Sequence, residues 1–200
     1  MTYPVTVTVE PQLTSRDRLT TGLRPILAIP HAILVGPIYG GSDWGSSEGL
    51  LGTAAFLLAI VSWFTILIKG EHLAGIRQFT LYFLRWKTRF IAYLMLLVDP
   101  YPPFGDGPYP ASIEVQDPAL PRDKATVAVR LFLAIPHFIV LFFVCLAWLL
   151  VTIFAWFAIL FTGEYPGALV PFSLGAMRWV LRVEAYLLLL VDEYPPFSLD

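Results

Sequence analysis

The chain repeats itself. Residues 66–104, ILIKGEHLAGIRQFTLYFLRWKTRFIAYLMLLVDPYPPF, realign without a gap on residues 159–197, ILFTGEYPGALVPFSLGAMRWVLRVEAYLLLLVDEYPPF. About half of the positions are identical. Upstream, Arg24 and the LAIPH of Leu27 to His31 return as Arg130 and the LAIPH of Leu133 to His137. A duplicated unit has to bury equivalent faces twice, so each motif must be explained in two places by one geometry. The units divide into residues 1–107 and 108–200. Each carries an alternating stretch, a basic segment, LAIPH, an apolar stretch, GE(H/Y), RWxxRxxAY and DxYPPF. The first copy holds about thirteen extra residues around Gly40 to Gly52, whose glycine, serine and acid content marks an exposed loop.

The apolar stretches set the solvent. Hydrophobic residues make up 57% of the chain and charged ones 14%, where a soluble domain carries roughly a quarter charged. Leu50 to Ile68 is uncharged over about nineteen residues, close to the twenty or so that cross a hydrocarbon core. Leu131 to Phe161 is uncharged over about thirty-one, long for one perpendicular span and short for two. Aligned with the first copy, the extra loop falls opposite Cys145 to Ala147. The expected fold is therefore all-α and integral to a membrane, with a transmembrane or re-entrant hairpin in each copy, about 23–69 and about 131–162. The competing arrangement is one long tilted helix from Pro136 to about Phe161, which makes the copies an inverted repeat.

Charge decides sidedness. All 13 Lys and Arg residues lie in Arg16 to Arg24, Lys69 to Arg89, Arg122 to Arg130 and Arg178 to Arg182. The extra loop carries Asp43 and Glu48 alone. The positive-inside rule then puts both termini in the cytoplasm of a multi-pass inner-membrane protein. A net charge of -2 gives no global field for nucleic acid. Cys145 is the single cysteine, which excludes an intrachain disulfide and reads as an inert thiol in an apolar run. The first twenty residues lack the basic start and apolar core of a cleavable signal.

Arg85 and Arg89, and Arg178 and Arg182, are i, i+4 pairs within otherwise apolar helices. At mid-bilayer each charge costs about 2.5–3.5 kcal/mol. Phe79 to Val98 and Phe172 to Val191 are accordingly expected as interfacial helices, with Trp86, Tyr93, Trp179 and Tyr186 at headgroup depth. These eight residues are the candidate site for anionic headgroups or a partner, because guanidinium binds phosphate in a bidentate fork. Ordinary anchoring, with ion pairs to Glu71, Asp99, Glu164 or Asp192, is the plainer reading. His31 and His137 have no second ligand at i+3 or i+4, so capping or hydrogen bonding is expected of them and not metal. PVTVTVE and PASIEVQ alternate like short strands that pair with each other or with another subunit.

The set LAIPH, GEYP, RWxxRxxAY and YPPF resembles a family of uncharacterised bacterial membrane proteins, a domain of unknown function common in actinobacteria. The resemblance covers nearly the whole chain, twice, and the first copy departs from it with His72 and Leu73 where the second has Tyr165 and Pro166. It implies architecture and no catalytic residue. HExxH, CxxC, G-x-S-x-G and a phosphate-cradling glycine loop are all missing from the sequence. The expected role is a non-enzymatic accessory or scaffold subunit without cofactor, working with lipids, other membrane subunits or its own copies. A lipid-binding or membrane-shaping protein is the alternative, and a channel or transporter ranks last.

Overall fold

The computed structural model describes residues 3–36, 49–120 and 122–200. The two alternating stretches form β1 (Val5–Val9) and β2 (Ala111–Val115), paired antiparallel with each other, Val7 opposite Ile113. These two residues hold the same place in the two copies, so the pair marks a pseudo-twofold axis. Period-two alternation buries Val5, Val7, Ala111 and Ile113 and leaves Thr6, Thr8, Ser112 and Glu114 exposed on the outer face.

The second copy's apolar stretch is one helix. Named α5 here, it runs Lys124–Thr162 over 39 residues, about 58 Å at 1.5 Å per residue. Asp123 caps its start by accepting from the Ala125 and Thr126 N–H groups, and Gly163 closes it in the left-handed region at φ 78. The expected turn at Cys145 to Ala147 is absent, and the hairpin over 131–162 is corrected to a continuous helix. VCLAW offers no glycine, proline or asparagine to reverse a chain, and in apolar surroundings a helix satisfies every backbone group that a turn would leave open.

The first copy builds the same arm in pieces: α1 (Arg18–Leu27), α2 (Ile29–Val35) and α3 (Gly49–Lys69). Of the extra loop expected around Gly40 to Gly52, residues 40–48, with Asp43 and Glu48, lie outside the described residues, while Gly49 to Gly52 open α3 as helix. Gly36 and Gly49, on either side of residues 37–48, lie together, since a Cβ on Gly49 would stand 2.4 Å from the Gly36 nitrogen. The pieces run antiparallel to α5. Trp63 donates its indole N–H to the Val127 carbonyl at 2.9 Å, and its counterpart Trp156 donates to Thr21, the counterpart of Val127, at 2.9 Å. At the tips the Arg16 N–H bonds Gly163 and the Arg122 N–H bonds Gly70. Thus α1 begins at one end of α5 and α3 finishes at the other, so the expected hairpin over 23–69 is corrected as well. The two arms are antiparallel and related by the pseudo-twofold axis.

Reversal happens one motif later. Gly70 and Gly163 of GE(H/Y) take φ 81 and 78, which glycine adopts without a Cβ clash. The chain then returns along each arm as α4 (Ala74–Leu94) and, after a 3-10 turn at Gly167–Leu169, α6 (Val170–Leu187). These helices are not interfacial in the expected sense, with an apolar arc in acyl chains. They form a middle layer, packed on the arms on one side and beneath the β-ribbon on the other. Residues 86–93 are buried all round, because the apolar arc of α4 meets protein. Among the described residues, α3 and α5 are the two helices long and apolar enough to cross a membrane by length and composition.

Candidate functional site: paired clasps and the bare arm surface

Each repeat closes with the same clasp. Arg24, on the arm, donates from Nη1 to the Tyr93 and Val98 carbonyls at 2.8 and 2.9 Å and from Nη2 to Asp99 at 2.8 Å. Its counterpart Arg130 donates to the Tyr186 and Val191 carbonyls at 2.8 Å each and to Asp192 at 2.7 Å. Both guanidinium groups stand 4.3 Å from the centroid of the RWxxRxxAY tyrosine, Tyr93 or Tyr186. A second arginine joins each carboxylate, Arg16 on Asp99 and Arg122 on Asp192. The returning helix leaves orphan carbonyls at its C-terminus, and the arm arginine satisfies them while pairing its charge.

The histidines belong to the same clasp. The Trp86 indole N–H donates to His31 Nδ1 at 2.9 Å, and Trp179 donates to His137 Nδ1 at 3.1 Å. Indole nitrogen only donates, so Nδ1 accepts and the ring proton sits on Nε2 of a neutral imidazole. The YPPF phenylalanine stacks on each ring, Phe104 at 4.5 Å and Phe197 at 4.0 Å between centroids. LAIPH, RWxxRxxAY and DxYPPF are therefore three parts of one construction, built twice in the chain. Among the described residues no group of three or more His, Cys, Asp or Glu side chains could hold a metal.

The expected arginine stripes lie in the middle layer and differ between copies. Arg89 is buried and bonds the Gly105 carbonyl and Asp106, whereas its counterpart Arg182 lies 5.9 Å from the Tyr3 ring. Burial and then the neighbouring Arg178 hold the Arg182 pKa below its ordinary value. Arg85 is exposed and Arg178 half-buried. The acids expected as their partners act elsewhere. Asp99 and Asp192 serve the clasps, and among the described residues Glu71 and Glu164 join no ion pair. Trp86, Tyr93, Trp179 and Tyr186 are buried in the clasps. Lys87 and Glu184 join α4 to α6 at 2.6 Å, a pairing across copies that spacing could not reveal. The arm arginines were also missed, although the recurrence of Arg24 as Arg130 ahead of LAIPH was the signal for them.

What the arms leave bare is apolar. Along α5 the buried residues form one stripe, Val127, Arg130, Ala134, His137, Leu141, Trp148, Ala155 and Ile159. Phe132, Phe143, Leu150 and Phe161 are 74, 64, 62 and 78% exposed. Leu50, Phe64 and Ile68 are likewise exposed on α3. Between α1, the end of α4 and the later half of α5 opens a groove of about 480 Å³ lined by Leu94, Met95, Ile153, Trp156 and Phe157. Exposed apolar surface on this scale marks a lipid or protein contact.

The chain belongs to the family described as a domain of unknown function, DUF4389, whose profile matches residues 47–105 and 124–198. One matched segment falls in each copy, as a duplicated domain requires. No curated protein and no solved structure matches the chain.

Proposed function

We propose that this protein is a non-enzymatic, membrane-embedded scaffold or accessory subunit of the bacterial inner membrane, with its two arms seated in lipid hydrocarbon. The observation that carries this reading is the bare arm surface, apolar along both arms. At roughly 25 cal/mol per Å² of apolar area removed from water, seating even part of that surface in acyl chains outweighs the few kcal/mol that hold a typical domain folded. The partners proposed are anionic lipids at the arginine-bearing middle layer and other membrane subunits at the polar ribbon, with both termini on the cytoplasmic side. A transporter is disfavoured because Leu131 to Phe161 contains no acid or amide side chain.

Alkaline carbonate washing of membranes from the expressing cell tests the reading. Retention in the pellet, with release only by detergent, supports it; release by carbonate alone contradicts it. Membrane shaping is a second reading, favoured by the opposition of an apolar arm face to a polar ribbon. Purified protein added to large vesicles would tubulate or constrict them under that reading and leave them spherical under the first.

A further inference from the structure

We infer that the two arms lie in the plane of the membrane, within one leaflet, and do not cross it. The inference rests on the membrane seating proposed above and concerns how that seat is oriented. The pseudo-twofold axis passes through the pair Val7 and Ile113 and exchanges two antiparallel arms, so it meets them at right angles near their midpoints. The β-ribbon therefore stands over the middle of the arms, with α4 and α6 between.

Consider arms that span. The axis then lies in the bilayer plane, and the ribbon is carried to mid-depth at the protein's lateral edge. Its outer face, Thr6, Thr8, Ser112 and Glu114, is exposed, and a two-stranded ribbon has two open edges. Open edges do not occur facing lipid hydrocarbon, where each unpaired backbone group costs several kcal/mol. The exposed Arg85 would sit at mid-depth too, where a charge is strongly disfavoured. Length argues the same way, since the uncharged run from Leu131 to Phe161 measures about 46 Å against a core of ~30 Å.

Arms in the plane remove each of these costs. The axis stands along the membrane normal and both arms reach one depth. The layer of α4 and α6, about 10 Å above, meets the headgroups with Arg85, Arg178 and Arg182. The ribbon and both tip clusters, Arg16 with Asp99 and Arg122 with Asp192, then lie on one side of the bilayer. The one-sided distribution of positive charge follows without any hairpin. The ligand this surface takes is the acyl layer of a single leaflet.

Phe132, Phe143 and Phe161 are exposed and fall on one face of α5. Each is replaced by cysteine in turn in a Cys145→Ala background, as is Glu114. The variants are spin-labelled and reconstituted into vesicles of phosphatidylcholine and phosphatidylglycerol, and depth is read from relaxation by oxygen against a water-soluble nickel chelate. Equal hydrocarbon depth at the three arm positions, with Glu114→Cys open to the chelate, is the expected result. Phe143→Cys deep between two shallow ends, or Glu114→Cys shielded in hydrocarbon, overturns the in-plane seat and leaves the membrane reading standing. All four labels open to the chelate, or shielded only by a second copy in water, overturns both.

Discussion

Val7 lies directly opposite Ile113 in the β-ribbon, and each is the other's counterpart in the duplicated sequence. A duplicated chain that pairs equivalent residues has folded like a homodimer with the two subunits joined, so its contacts come in reciprocal sets. The exchange of Trp63 to Val127 for Trp156 to Thr21 is one such set. Mutations at equivalent positions should then act alike.

Asp192→Asn should strongly destabilise the fold, because Arg122 and Arg130 are both buried and would lose their shared anion. Breaking a buried pair on one side costs about 3–5 kcal/mol, and Asp99→Asn should behave similarly. Burial alone would raise the Asp192 pKa, but hydrogen bonds and charge from Arg122 and Arg130 prevail and hold it below 3.8. A carboxylate with a lowered folded pKa adds stability above its unfolded value and loses it as pH falls through the folded one. Thermal unfolding in detergent should therefore show a midpoint that drops below about pH 4 in the parent. That acid limb should flatten in Asp192→Asn.

Trp86→Phe and Trp179→Phe keep the ring and remove the N–H that each clasp histidine accepts. A buried acceptor left open costs about 1–3 kcal/mol. Both variants should unfold earlier by similar amounts. Nitrogen-15 spectra of the parent should show Nδ1 unprotonated in His31 and His137, and a protonated Nδ1 would contradict the clasp.

Leu146→Pro probes the middle of α5, where the leucine is 48% exposed. Within a continuous helix proline removes one backbone bond and clashes with the preceding turn, costing ~3 kcal/mol or more. In a turn it would be tolerated. The midpoint should fall well below that of Leu146→Ala, which changes the side chain alone.

Gly175→Ala tests how the C-terminus is held. A Cβ there would stand 2.4 Å from the Leu199 carbonyl oxygen, so the last residues must move. Limited proteolysis should trim the C-terminus of this variant faster than that of the parent, with the remaining core unchanged.

The repeat and the two short strands were legible because duplication and period-two alternation are local signals, whereas the choice between pairing with each other and pairing with another subunit comes from the fold. The reversal in the first copy was assigned to the extra loop because spans of about twenty residues are the common unit. VCLAW lacks the glycine, proline or asparagine of a turn, a signal outweighed by its alignment opposite the extra loop. The continuity of α5 and the contacts between the arms, Arg16 with Gly163, Arg122 with Gly70, Trp63 with Val127 and Trp156 with Thr21, decide that the arms run antiparallel. The clasps escaped for a related reason. Arg24 and Asp99 lie 75 residues apart, and no helical or strand period links them. Arginines at i, i+4 looked more like a site than an isolated pair of arginines ahead of LAIPH.

The most direct test of the account is the length of α5. Spin labels on Phe132→Cys and Phe161→Cys in a Cys145→Ala background, in detergent or bilayer, should report about 44 Å between helix positions, the rise of 29 residues at 1.5 Å each. A separation near ~10 Å, the spacing of two packed helix legs, would restore the hairpin and contradict the antiparallel two-arm architecture on which every reading of the arms depends.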